Sequence, residues 1–137
     1  MPIEDSQVAR IAIRKTVLTG LTVQRLISNR FYPAEPGIYK VRRYPCANFR
    51  ISGGVTDPDV KEYKKPDLVI WTHSTDSYDE AYKVYEAIFY ALHNELLSED
   101  ERGIVCKEDT RPMEAYEPAT EVFYLRASWA IRMVNYA

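Results

Sequence analysis

The sequence predicts an α+β domain: an antiparallel or mixed sheet of four to five strands with two helices packed on one face. Three stretches carry this reading. Residues 77–97, SYDEAYKVYEAIFYALHNELL, place Ala81, Val84, Tyr85, Ile88, Ala91, Leu92 and Leu96 at three- and four-residue steps, the spacing of one helical face. Just upstream, PDLVIWTH is too short for a helix and rich in strand formers. Near the end, residues 121–133 alternate Phe123, Leu125, Ala127, Trp129, Ile131 and Met133 against Tyr124, Arg126, Ser128 and Arg132. That two-residue period belongs to a strand with one buried face.

The elements follow in order. A first helix runs from Asp5 or Ser6 to Leu18, with Val8, Ile11, Ala12 and Leu18 near one face and Gly20 as its C-terminal stop. Residues 22–27, TVQRLI, hold strand formers and read as an edge strand. A long loop at 28–44 carries Pro33, Pro36 and Gly37 and ends in the cluster Arg42, Arg43, Tyr44. Residues 45–52 form a strand with Ala47, Phe49 and Ile51 on its apolar side, ended by Gly53-Gly54. Residues 55–65 read as an extended hairpin arm or loop bearing Lys61, Lys64 and Lys65, and 67–73 as the returning strand. Ser77 and Glu80 have the spacing of a capping box at the start of the long helix. After it come a charged turn at 98–102, a short strand at 104–107 and a second long loop at 108–120. The closing strand, 121–133, would extend about 40 Å if straight, so it is expected to bend or project beyond the sheet. There is no internal repeat.

The bulk composition fits one soluble domain. The chain has 137 residues, 46% of them apolar, enough for one core. Its 11 tyrosines offer amphipathic contact area of the kind enriched at interfaces. Cys46 and Cys106 are far apart and lack metal-ligand spacing, so two buried free thiols are expected. The opening MPIEDSQV has acids and no apolar run, and no stretch approaches a membrane span, so neither a signal peptide nor a membrane partner is expected. The net charge of −2 hides an asymmetry. Residues 1–65 hold 12 basic and 6 acidic side chains, and residues 66–137 hold 6 and 14, giving halves of +6 and −8. If these halves make two faces, copies can meet positive to negative, head to tail.

Motifs for chemistry are sparse. The sequence contains no GxGxxG, P-loop, GxSxG or HExxH, and no cofactor, metal site or enzymatic activity is expected. His73 with Asp76 and Asp79 could be assembled into a hydrolase-like site, but acids favoured by a helix N-terminus account for the same residues. A small-ligand module using the sheet face or the tyrosine-rich helix is a further reading, and it requires a concave apolar pocket.

The layout resembles the tail terminator (tail-completion) proteins of long-tailed bacteriophages. The resemblance is carried by the opening helix with TGLTVQRLISNRFYP, by YPCANFRISGG, by KKPDLVIWTHSTDSYDEAYKVYEAIFYALH and by EVFYLRASWAIRM. It spans nearly the whole chain as a pattern of elements. It implies a virion structural protein, made in the host cytoplasm and placed at the tail or neck. Its copies would form a homohexameric ring that caps the tail tube, ends tube polymerisation and joins the head-side connector or stopper. Another head–tail joining role is the neighbouring reading. DNA would pass through the ring, with basic lumen residues making sequence-blind phosphate contacts. Loop positions are where partner contacts concentrate, and the expected interface residues are Tyr39, Arg42, Arg43, Tyr44, Lys61, Lys64, Lys65, Glu114, Tyr116 and Glu117.

Overall fold

The computed structural model describes residues 5–33, 43–56 and 63–135, with backbone alone at 5, 53–56, 63–65 and 135. Ten elements follow one another: α1 (Asp5–Leu18), α2 (Leu21–Ile27), β1 (Phe31–Tyr32), β2 (Cys46–Thr56), β3 (Tyr63–Ser74), α3 (Tyr78–Leu92), β4 (Leu96–Glu99), β5 (Arg102–Glu108), β6 (Met113–Glu117) and β7 (Val122–Asn135). The class is α+β, as expected, but among the described residues the sheet has seven strands and the helices number three.

The sheet is antiparallel throughout except where the short β1 joins β2 in parallel. Its order is β1-β2-β3-β7-β5-β4, with β6 also on β7. Strand β7 bonds β3 along one edge and divides its other edge between two partners. Met113–Glu117 takes the half from Val122 to Arg126, and Arg102–Glu108 takes the half from Trp129 to Asn135. The length expected of the last strand is therefore used inside the sheet. Helix α1 packs against β4 at one margin and against β1 and β2 at the other, so the sheet curls around it. Lys15 Nζ reaches Glu99 at 3.1 Å, and Arg14 Nε donates to the Phe31 carbonyl at 3.0 Å, fastening α1 to both margins.

Alternation within the strands decides the two faces. Ala47, Phe49, Leu68, Ile70, Leu125, Ala127, Trp129, Ile131, Met133, Ile104 and Cys106 point inward and join the buried side chains of α1, α2 and α3 in one cluster. Helix α3 supplies Ala81, Val84, Tyr85, Ile88 and Leu92, and the Thr72 hydroxyl donates to the Ala81 carbonyl at 3.0 Å beneath it. Among the described residues, all three helices thus cover one face, and the other is free of helices.

Several local expectations are corrected. Residues 22–27 are helical rather than an edge strand, because Val23 and Ile27, one turn apart, are both buried under the helical layer. Strand propensity yields to tertiary burial. Gly20 is not a left-handed stop: its φ is −70° and it is the N-cap of α2. A side chain there would meet the Val17 carbonyl at 3.3 Å and Ala91 Cβ at 3.6 Å, so glycine lets the helix connection pass close to α3. Gly53-Gly54 does not end β2 but shifts its register between Ser52 and Val55. Pro66, which has no N–H to give a ladder, lies opposite that bulge. The capping box is half formed. Ser77 Oγ accepts from the Glu80 amide at 3.1 Å, while the Glu80 carboxylate accepts from Ser74 Oγ at 2.7 Å and not from the cap amide.

The long helix stops at Leu92 instead of Leu97. Asn94 adopts φ 61° and its amide donates to the Cys106 carbonyl at 2.9 Å, which turns the chain into β4. Leu97 is then buried while Leu96 is 66% exposed. The charged stretch 98–102 is shorter as a turn than expected. Asp100 and Glu101, both at positive φ, form a two-residue hairpin connection between Glu99 and Arg102, the backbone signature of a type I′ turn. The loop at 108–120 holds β6, and the loop at 28–44 holds β1.

These burials separate two leucines that the sequence places on one stripe. Leu92→Ala is expected to cost about 2–5 kcal/mol in chemical denaturation, and Leu96→Ala less than about 0.5 kcal/mol. Equal losses would contradict the helix end.

Candidate functional site

The expected interface residues are not gathered in one place. Tyr39, Arg42 and Lys61 lie outside the described residues. Arg43 is exposed and Tyr44 half-buried just ahead of β2, where a cis peptide bond joins Tyr44 to Pro45. Lys64 and Lys65 occupy strand positions opposite Thr56 and Val55, at the far end of the β2–β3 hairpin. Glu114, Tyr116 and Glu117 are exposed, but on strand β6 rather than in a loop, paired to Leu125, Phe123 and Val122. Arg43, Tyr44 and the β6 residues therefore share the end of the sheet where β7 begins. The lysines belong to the other end, about 30 Å away along the strands.

What fixes β6 in place is a polar latch on α3. Tyr85 OH donates to Glu108 Oε2 and accepts from Trp129 Nε1 at 3.0 Å. Arg111 donates to Glu108 at 2.9 Å and to Glu86 at 2.9 Å, and lies over the rings of Tyr85 and Phe89. His93 Nδ1 accepts from the Glu108 amide at 3.1 Å, and its ring stacks on Phe89 with centroids 4.5 Å apart. Burial, then the hydrogen bond and negative charge of Glu108, push the Tyr85 hydroxyl far above its ordinary pKa. It stays protonated and serves as a donor. At the start of α3, Tyr78, Phe123 and Tyr116 form a ring ladder with successive centroids 4.9 Å apart, holding the β6–β7 hairpin.

The helix-free sheet face carries the clearest concentration of cationic and aromatic groups. Arg50 and Arg126 flank Trp71, each guanidinium about 6 Å from the indole centroid. That placement is favourable in itself, and it leaves Trp71 only 8% exposed. Lys107 and Arg132 are exposed on the same face. On this face, among the described residues of β2, β3, β5, β6 and β7, the acids are Asp67 and Glu117. His73 also lies here, hydrogen-bonded to Asn48 Oδ1, whereas Asp79 lines a groove on the helical side. The structure does not bring the imagined His73–Asp79 pair together.

That helical groove has a volume of about 920 Å³ and runs between α2 and α3. Leu21, Leu26, Tyr82, Ala87 and Tyr90 give it apolar walls, and Asp79, Lys83 and Glu86 its charges. Leu21 and Tyr90 are 69% and 76% exposed. A shallower trough continues past Ala91 to Glu95 and Leu96. Sequence reasoning named the sheet face and the tyrosine-rich helix as possible ligand surfaces but not the residues that build either one, because each joins residues from separated elements. Signals existed in the outward alternation of Arg126 and Arg132, and in apolar Leu21 just ahead of the segment read as strand. Among the described residues, no cluster of three His, Cys, Asp or Glu is placed to hold a metal ion, and no helix is long and apolar enough to cross a membrane.

The fold is similar to that of a solved chain from the virion of a native gene transfer agent (GTA) particle. The match covers 98% of this chain and 100% of the other, with a TM-score of 0.76 and 12% sequence identity. No protein-family model and no curated protein matches the chain. At that identity the likeness is one of fold, and it extends over the full length of both chains.

Two measurements probe the interior that supports these surfaces. Tyr85→Phe strips partners from Trp129 Nε1 and Glu108 and is expected to lower stability by about 1–3 kcal/mol. Burial pushes the Cys106 thiol from about 9 up to about 12. Above pH 9 the unfolded chain then releases a proton that the folded chain keeps, so stability falls as pH rises. The slope contributed by Cys106 approaches about 1.4 kcal/mol per pH unit. Cys106→Ala should flatten the loss between pH 9 and 10 in denaturation series; an unchanged slope would contradict the burial.

Proposed function

We propose that this chain is a structural protein of a phage-like virion and acts there as a tail terminator. Its copies form a homohexameric ring that caps the tail tube, stops tube growth and presents the head-side connector or stopper with a docking surface. The observation that carries this reading is the full-length likeness of fold to a chain of the GTA virion particle. The molecule has suitable materials for it. Its helical and helix-free faces are both chemically distinctive, and a ring needs two different patches per subunit. DNA passing through such a ring would meet basic side chains in weak, sequence-blind phosphate contacts. In this reading the chain resides in the tail or neck of the virion and performs no catalysis.

The α2–α3 groove favours a second reading, a small-ligand module, since a concave apolar cleft is what such a function requires. Light scattering of the purified chain, alone and with its candidate tube protein, separates the two. A ring-sized mass, alone or only with tube protein, is expected. A single-chain mass indifferent to tube protein would sink the terminator reading and favour the groove as a ligand site. Charge reversal of Arg42 and Arg43 together is expected to block assembly while leaving the circular dichroism spectrum and melting temperature unchanged. Normal tailed particles from the doubly reversed chain would remove those residues from the interface.

A further inference from the structure

We infer that the helix-free sheet face of one subunit docks, head to tail, into the α2–α3 groove of a second copy of this chain. The inference rests on the ring reading above and names the surfaces that would close the ring. Opposite charge is the first argument. The sheet face presents Arg50, Lys107, Arg126 and Arg132 against two acids, Asp67 and, opposite Val122 on β6, Glu117. The groove and its continuing trough present Asp79, Glu86 and Glu95 with Lys83 as the cation. Glu86 is already paired with Arg111 in an exposed bridge at 2.9 Å, so Asp79 and Glu95 hold the charge left over. Complementary fields of this kind orient partners and set register.

Shape and apolar area point the same way. A sheet curled around α1 and α3 is convex on its outer side, and the cleft between α2 and α3 is concave. Tyr90 and Leu21 stand exposed on the groove, and Met113, 68% exposed beside Arg126, stands on the sheet side. Exposed aromatic and apolar side chains ringed by charge are the composition of an interface centre with a polar rim. The two surfaces occupy opposite sides of one subunit, so contact between them cannot be self-complementary. It must propagate from copy to copy, closing into a ring if the rotation permits.

The test uses two variants of the full chain. In one, Arg126→Glu and Lys107→Glu reverse the sheet face. In the other, Asp79→Arg and Tyr90→Arg reverse the groove. All four side chains are exposed, so melting temperatures should stay close to that of the parent chain. Each variant alone is expected to need at least tenfold more protein for half-assembly. An equimolar mixture should assemble at lower concentration than either variant alone, because an intact groove meets an intact face and the reversed face meets a groove of opposite charge. Should a variant fold poorly, chains carrying Tyr90→Cys and Arg126→Cys, with Cys46 and Cys106 buried, mixed and treated with a short bis-maleimide, should cross-link between copies. Variants that assemble like the parent, or a mixture that assembles no more readily than either variant alone and gives no cross-link, would overturn the inference and leave the ring reading standing. A parent chain that never assembles, with or without tube protein, would overturn both. Loss of duplex-DNA binding in the sheet-face variant with unchanged self-assembly would make that face a polyanion surface and defeat the inference.

Discussion

Strand β7 is the constraint on which the rest of this structure depends. It bonds β3 along one edge and shares the other between β5 and β6. Among the described residues, no other strand in the sheet touches three partners. Its inward side chains, from Leu125 through Met133, supply much of the sheet's contribution to the core, and Trp129 anchors the tyrosine of α3 through its indole N–H. Because side chains alternate with a period of two, the same strand must send Arg126 and Arg132 outward. The buried core and the basic outer face are therefore two consequences of one register. A one-residue slip would exchange them.

The polar latch shows how a partly buried network can serve position rather than net stability. Tyr85, Trp129, Glu108 and Arg111 satisfy one another, and among the described residues every buried side-chain nitrogen or oxygen has a partner. A satisfied network of this kind adds modestly to stability but is costly to break. Its effect here is to clamp the β5–β6 connection against α3. That clamp allows β6 to take the first half of β7 and brings Met113, Glu114, Tyr116 and Glu117 to the end of the sheet as a strand.

Opposed surfaces give the fold a polarity suited to assembly. The helical layer leaves a groove with apolar walls and the charges Asp79, Lys83 and Glu86, and the sheet leaves a convex face where arginines cover a tryptophan. The charge imbalance between the chain's two halves does not map onto these faces in a simple way. Arg126 and Arg132 come from the acidic half, and Arg50 from the basic one. Strands from both halves interleave in a single sheet, so surface charge is set by the register of each strand and not by position along the chain.

The sequence by itself determined the α+β class, the opening helix, the β2–β3 hairpin, the N-terminus of α3 and the inward stripe of β7. Each of these follows from a local period, a cap or a propensity that tertiary contacts do not contradict. Tertiary structure alone decided the remainder. Residues 22–27 became helical because burial of Val23 and Ile27 outweighed strand propensity. Leu92 was separated from Leu96 because the amide of Asn94 found the Cys106 carbonyl. Strands β4 and β6 are four and five residues long and lack a decisive pattern; each exists because an exposed ladder of β5 or β7 was available to pair it. Both candidate surfaces belong to this second group. Short-range patterns specify elements, but which side chains share a groove or a face depends on contacts between residues far apart in the chain, and no local period encodes those.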